Sequence, residues 1–469
     1  MMKFSHCILF ACTAFFLSSC KDDVPATKIS GTIIDKHTKE LIANASIQVL
    51  ENGPVTTSSS DGTFHFDNSF LEDIEEVSLD GSASTALHVT HESYRPIEMN
   101  IQFNSSLEIG LASKDLPVYY YNRPVQLNDN ISTRPLSESS LNRQTIQNLM
   151  DKVINDRYKE LHSLLIYQDE ALIMEEYFFG NNDTIDFENN VIVDKQPAPI
   201  QWSRTTPHYI ASINKALTST LTGIALDQHQ LQTSAKIASY LPQYASYFED
   251  ANKAAVTFES CLTMTAGFRW DEWSSNDLAL LWKSPDFGEF VLSRDNMGIG
   301  SEWRYNSAIP NLLLKSIENM TGEDVRVWAQ DNFYSKLGIT NFKWQSQPDG
   351  TPEGSARIYL TPRDMLKIGI TYLNQGKWQD EQVIPSSYVN ECFEIKKSTE
   401  SGDYSYYFWI RELNGITYLS AEGDGGNYIN IFPEQNMVIV ITQGLYLKWP
   451  SYVTQADDIM GNYILPAIE

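Results

Sequence analysis

The chain has 469 residues, of which 42% are hydrophobic, 20% charged and 12% aromatic, a globular composition with enough apolar material for more than one domain. Its formal charge is -26, spread along the chain; such a field repels nucleic acid and anionic lipid head groups, which excludes a nucleic-acid partner. Of the five cysteines, Cys7, Cys12 and Cys20 lie in an N-terminal leader and only Cys261 and Cys392 in folded sequence, each within an apolar helical pattern. Buried free thiols are expected, with a disulfide between the two as the alternative, and no zinc-ligand spacing is present.

Residues 1–19 read as a secretory signal. Lys3 supplies the positive start, and the apolar run over 8–17 is too short for a permanent bilayer span. The run ends in Leu17-Ser18-Ser19-Cys20, which resembles a bacterial lipobox. By that resemblance Cys20 becomes the lipidated first residue, and its acyl chains hold the protein at a membrane at about 0.8 kcal/mol per buried CH₂. A plain cleaved signal peptide is the alternative. Lys21-Asp22-Asp23 opens a tether over 20–27 and resembles the export signal of bacterial surface lipoproteins. The expected location is therefore the outer membrane, facing outward, with a periplasm-facing anchor as the alternative.

Residues 28–111 alternate at period two, the mark of half-buried strands. Ile29, Ile33, Ala45, Ile47, Val49, Phe64, Phe66, Leu87, Val89, Met99, Ile101, Phe103, Leu107, Ile109 and Leu111 are the inward candidates. Turn signals at Asn52-Gly53-Pro54 and Ser60-Asp61-Gly62 separate them, predicting a small antiparallel sandwich. Ile29-Ser30-Gly31-Thr32-Ile33, Ala43-Asn44-Ala45-Ser46-Ile47 and Ser60-Asp61-Gly62-Thr63-Phe64 together resemble the carboxypeptidase-regulatory-like module. The resemblance implies a spacer or docking domain, with carbohydrate binding as the alternative. Residues 112–140, polar apart from Val118-Tyr119-Tyr120-Tyr121, read as a linker.

From 141 the texture changes. Ile146, Leu149, Met150, Val153 and Ile154 mark a helix, followed by a hairpin over 161–167 and 171–179 and then helical and mixed segments. Strands are expected at 404–412, 416–421, 428–432 and 437–442, and a last helix at 451–465. Strands at both ends with helices between predict an α+β domain over 141–469, its antiparallel sheet assembled from both termini beside a helical lobe.

The chemistry centres on Ser212-Ile213-Asn214-Lys215. Apolar residues at Ile213, Leu217, Leu221 and Ile224 predict a helix starting near Ser212, which sets Ser212 and Lys215 on one face. A lysine held away from water gives up its proton more readily and can then take one from a serine hydroxyl. The helix N-terminus adds backbone N–H groups suited to an oxyanion. Taken alone, S-x-x-K also fits an N-cap serine with an exposed lysine, and Ser18-Ser19-Cys20-Lys21 carries the same spacing by chance.

The context is more specific. Ser212–Lys215, Leu221-Thr222-Gly223-Ile224-Ala225-Leu226-Asp227, Leu262-Thr263-Met264-Thr265-Ala266-Gly267 and Ala356-Arg357-Ile358-Tyr359-Leu360-Thr361-Pro362-Arg363-Asp364 resemble, in order, segments of the class C β-lactamase-related serine hydrolases. The resemblance runs from about 145 to 465 and implies a β-lactamase/transpeptidase-like fold. It departs at Ala356 and Arg357, where many members carry paired glycines. Tyr305-Asn306-Ser307 stands for the family's Tyr-x-Asn motif and, with serine third, resembles its esterase and aminohexanoate-dimer hydrolase branch. Tyr305 is then the proton relay to the leaving group; a phenol ordinarily ionises near about pH 10, so the role needs the Lys215 ammonium close by.

In the place of the third motif stands Glu422-Gly423-Asp424-Gly425-Gly426-Asn427. By resemblance, the backbone N–H groups of Ser212 and Asn427 form the oxyanion hole, while Ser307, Asp424, Gly425 and Gly426 meet substrate. Asp424 stands where lactam-recognising members carry a cation, which argues against penicillin chemistry. Trp270, Trp273, Trp282, Trp303 and Tyr428 wall an aromatic pocket or simply fill the core. The expected activity is hydrolysis of a small ester, amide or peptide-like substrate, with no metal and no cofactor. A catalytically silent surface protein that keeps the fold is the alternative, favoured by Ser307 and Asp424.

Overall fold

The computed structural model describes residues 29–35, 38–49, 53–66, 84–102, 106–115, 119–155, 158–182, 185–186, 191–192 and 199–469. The leader, Cys20, the tether and Phe103 lie outside them. Contacts divide the chain into two units, residues 1–117 and 118–469.

The first unit holds two sheets over one core. Three strands run Thr63–His65, Ser30–Asp35, Ser106–Leu111, and four run Val55–Thr57, Ser46–Val49, Ser84–Thr90, Ile97–Gln102. Ile29, Ile33, Ala45, Ile47, Val49, Phe64, Phe66, Leu87, Val89, Ile101, Ile109 and Leu111 fill the space between, with Met99 and Leu107 partly buried beside them. One pairing departs from the antiparallel expectation: Ser30–Asp35 and Ser106–Leu111 are parallel. The first and last strands lie side by side, and the long intervening chain can return to the same end, which a hairpin cannot.

The second unit is built on an eight-stranded sheet in the order Lys397–Thr399, Gly402–Tyr404, Trp409–Leu413, Ile416–Gly423, Asn427–Phe432, Met437–Gln443, Leu161–Gln168, Ala171–Tyr177. Every neighbouring pair is antiparallel, and the N-terminal hairpin joins the C-terminal meander through Leu161–Gln168. Leu161–Gln168 is buried along its whole length because the sheet is covered on both faces. Leu164 and Ile166 enter one core with helices Arg143–Ile154 and Ser451–Ile459, whereas Leu165 and Tyr167 enter the other with Ile213–Gln228 and Ile309–Thr321. The predicted strand 404–412 is broken at Ser405–Phe408, where Tyr407 takes φ 63°. Cys261 and Cys392 are free and buried, and burial pushes both thiols up.

Much of the expected linker is instead a strap on this unit. Ile131, Leu136 and Leu141 are buried, Thr133 bridges Leu172, and Tyr121 donates to Ile173 O at 2.8 Å. Asp129 and Glu175 share the buried Arg363 guanidinium, at 2.6 and 2.7 Å. The anchoring residues are too widely spaced in sequence to show a period, so the segment reads as polar connection.

Candidate active site

The backbone around Ser212 is set by a short pairing and one strained residue. His208–Tyr209 pairs with Ile358–Leu360, and Ile210 N–H donates to Ile358 O at 3.2 Å. Ala211 then takes φ 49°, a left-handed conformation costing an L-residue about 1–2 kcal/mol. Helix Ile213–Gln228 follows. Ser212 sits at its N-cap with helical φ and ψ of -65° and -6°, and its side chain makes no cap bond.

The hydroxyl is engaged elsewhere. Lys215 is 1% exposed and donates from Nζ to Ser212 Oγ at 3.0 Å and to Ser355 O at 3.1 Å. Its Nζ also lies 4.7 Å from the centre of the Tyr305 ring. No carboxylate among the described residues comes within ion-pair distance of it. This geometry disposes of the N-cap serine with an exposed lysine. Ser212, Lys215 and Tyr305 are brought together from segments about 90 residues apart.

Two groups that sequence reasoning missed hold the floor. Asn214, fully buried, donates to Glu353 O and Ala356 O, both at 2.6 Å. Glu353, also fully buried, accepts from Ser355 N–H at 3.0 Å and from Ala356 N–H at 2.5 Å. The same turn presents Ser355 O to Lys215. Arg357, which follows, takes φ 57°, a backbone that suits the glycine many relatives carry there. The signal for Asn214 lay in the tetrapeptide itself; Glu353 had none, because its partners are two backbone amides and the Ser355 hydroxyl, in a turn with no period.

The remaining expected residues are spread differently. Ser307 is 2% exposed, and its hydroxyl donates to Glu272 Oε1 at 2.5 Å. A hydroxyl carries one proton, so Ser307 has none left for a substrate. Asp424 is turned to the Leu447 N–H, with contacts of 3.0 and 3.3 Å, and burial raises its carboxyl above the usual range. A Cβ on Gly425 would lie 2.4 Å from the Tyr446 ring, and one on Gly426 2.4 Å from Gln443 Nε2. The protein's own side chains therefore fill the space these glycines leave. Gly423 makes the close approach to the nucleophile segment: a Cβ there would lie 2.1 Å from Ile210 O. Asn427 pairs with Gly423 from the next strand, and no measured contact brings its N–H to Ser212.

The aromatic residues divide. Trp270, Trp282 and Tyr428 are core, whereas Trp273 is 81% exposed and stacks on Tyr305 with centroids 5.8 Å apart. Trp303 contacts Tyr305, Tyr404 and Trp409. Behind the nucleophile strand, His208 and His162 face each other at 2.8 Å, and burial keeps His208 well below the ordinary histidine range. Among the described residues no cluster of three His, Cys, Asp or Glu could hold a metal.

A serine at the head of a helix, a buried lysine one turn on and a tyrosine against that lysine, beside an antiparallel sheet, define the serine hydrolases of β-lactamase/transpeptidase-like fold. The sequence profile of the Beta-lactamase family matches residues 151–447, and the chain belongs to that family. A Bacillus anthracis protein provisionally assigned as a 6-aminohexanoate-dimer hydrolase is similar in structure, with TM-score 0.55, 17% identity and coverage of 75% of this chain and 87% of that one. Simvastatin synthase from Aspergillus terreus gives 0.53, 15%, 68% and 98%. EstCE1, a hydrolase with promiscuous acyltransferase activity, gives 0.52, 16%, 67% and 97%. At these identities the likeness establishes the fold. No curated protein matches the chain at a significant level.

Proposed function

We propose that the protein cleaves ester or amide bonds through an acyl-enzyme on Ser212. The observation that carries the reading is the Lys215 side-chain nitrogen, out of water and 3.0 Å from Ser212 Oγ, where its neutral amine can accept the hydroxyl proton. Ser212 Oγ attacks the substrate carbonyl while Lys215 takes its proton, and Tyr305 relays a proton to the leaving group. Water then repeats the sequence on the ester and frees the acid. One oxyanion donor is Ser212 N–H. For the second we assign Asp424 N–H in place of Asn427, because Asp424 follows the glycine that abuts Ile210. Neither N–H has a protein acceptor among the described residues, so both are available.

The third-motif strand offers no free cation. Glu422 pairs with Arg411 at 2.7 Å, and Asp424 is turned to Leu447. This supports an esterase or amidase and predicts poor turnover of penicillins, whose carboxylate lacks a partner there.

A fluorophosphonate probe should add one label, on the peptide containing Ser212, and Ser212→Ala should remove it. Lys215→Met, close in size but without the base, should lower kcat/KM for a simple ester by about 10²–10⁴-fold. Labelling that survives in Ser212→Ala sinks the assignment; the absence of any label in the wild type favours the silent surface protein.

By the lipobox-like Leu17–Cys20 and the Lys21-Asp22-Asp23 that follows, we also infer a lipid anchor at Cys20 and display on the outer face of the outer membrane. The first unit then serves as spacer or docking module. External protease on intact cells should remove the protein, and Cys20→Ala should release it. Full protection of a membrane-bound form would place it facing the periplasm.

A further inference from the structure

Glu272 is a carboxylate beside the reacting groups that sequence reasoning did not single out. Its Oε1 accepts from Ser307 Oγ at 2.5 Å, and its Oε2 accepts from Ser307 N–H at 3.1 Å and from Trp270 Nε1 at 2.5 Å. Every one of these donors is neutral. No Lys, Arg or His among the described residues lies within ion-pair distance of Glu272, although it is half-buried. The nearby Arg304 is paired with Glu302 at 2.6 Å. Ser307 is two residues from Tyr305, so their Cα atoms lie within about 7 Å of each other, and Glu272 bonds to the first while its neighbour Trp273 stacks on the second.

The surroundings complete the pattern. Trp273, next in sequence to Glu272, presents an open indole face and stacks on Tyr305, and Trp303 tilts against the same tyrosine at 6.3 Å. Aromatic faces and a carboxylate held only by neutral donors form a set that attracts a cation, above all a weakly hydrated ammonium. The net charge of -26 acts in the same direction, raising the local concentration of cationic ligands. A carboxylate-bearing substrate meets the opposite field.

We propose that Glu272, with Trp273, selects substrates carrying an ammonium group a few bonds from the scissile carbonyl. The inference rests on the acyl-enzyme reading above and adds the substrate class. In this arrangement Ser307 is the positioning residue: its one hydroxyl proton and its N–H fix the carboxylate. The Ser-for-Asn replacement in the Tyr-x-Asn place then exchanges a neutral amide for a held negative charge.

The test uses two esters of one shape that differ by a single charge, butyrylcholine and 3,3-dimethylbutyl butyrate. Wild type should favour butyrylcholine by at least about tenfold in kcat/KM, less so at high salt. Glu272→Gln should bring the ratio to within about threefold of unity, and Trp273→Ala, at an exposed site, should lower it severalfold. A structural loss alone would lower both esters equally and leave the ratio unchanged. Choline alone should slow fluorophosphonate labelling of wild type and not of Glu272→Gln, and should quench tryptophan fluorescence even without turnover. No preference in wild type, or a preference that survives Glu272→Gln and falls in Asp424→Asn, overturns the proposal. A preference-free but active wild type leaves the hydrolase reading standing; no label and no turnover, with choline still bound, overturns that reading alone.

Discussion

At the scale of single residues, buried ionisable groups in this protein are accommodated in three ways. Lys215 is satisfied by neutral oxygen acceptors and a ring face, Glu353 by two backbone amides and the Ser355 hydroxyl, and Arg363 by two carboxylates. Glu176 is the exception: it accepts from the Tyr119 hydroxyl but has a second carboxylate, Glu175, beside it. Burial, with repulsion from Glu175, pushes its carboxyl up from 4.5 to about 7. Because the folded protein binds this proton more tightly than the unfolded chain, the contribution to stability is complete below pH 4.5 and is lost as pH rises through 7. The loss is on the order of 2–3 kcal/mol. Glu176→Gln should leave stability near pH 4 almost unchanged and raise the melting temperature at pH 8. A thermal melt across that range checks it; an equal effect at both pH values would mean that the residue is not titrating.

At the scale of elements, the nucleophile is held by contacts between a helix and two segments remote in sequence. Thr218 Oγ1 donates to Gly354 O at 2.7 Å, and Asn311 accepts from Gly354 N–H at 2.8 Å, so two helices clamp the turn that carries Ser355. On the other side the strand Ile416–Gly423 meets the nucleophile segment at Gly423 with no room for a methyl group. The obstructing atom is a backbone oxygen, which cannot rotate away. Gly423→Ala should therefore displace Ile210 and Ala211 and with them Ser212 Oγ. A shift of about 1 Å in a catalytic group costs about 10²-fold in rate. Steady-state kinetics on a simple ester should show that loss in kcat, with a modest change in melting temperature. Activity within a few-fold of wild type would show that the close approach relaxes at no cost.

For the whole molecule, the boundary that matters lies near residue 118, ahead of the strap. A chain beginning at Val118 keeps Tyr119, Ile131, Leu136 and Leu141 on the hydrolase unit, together with the Asp129 carboxylate and the Val125 carbonyl on Arg363. A chain beginning at residue 141 loses all but Leu141. Three large side chains at about 1.5–3 kcal/mol each, plus an incompletely paired guanidinium, amount to at least about 5 kcal/mol. The 118–469 fragment should fold and take the serine probe, whereas 141–469 should melt at least about 10 °C lower or aggregate. Equal melting of the two fragments would contradict the strap.

Local apolar runs, helical period and short motifs were legible in the amino-acid sequence. The strands expected at 161–167, 416–421, 428–432 and 437–442 are found at 161–168, 416–423, 427–432 and 437–443, and the helix after Ser212 is found where 3.6-residue spacing predicts it. The fold class was legible for the same reason, since strands at both ends of the domain leave few ways to close one sheet. Tertiary structure alone decided the rest. That Lys215 is buried, that Ser307 is committed to Glu272, that Asp424 faces Leu447 and that Gly423 touches Ile210 are set by contacts between residues 23 to 213 positions apart. No local pattern carries them, because a hydrogen bond across the fold constrains one distance in space and leaves no period in the chain. The parallel pair in the first unit and the strap escaped sequence reading on the same ground: each is fixed by what the segment packs against.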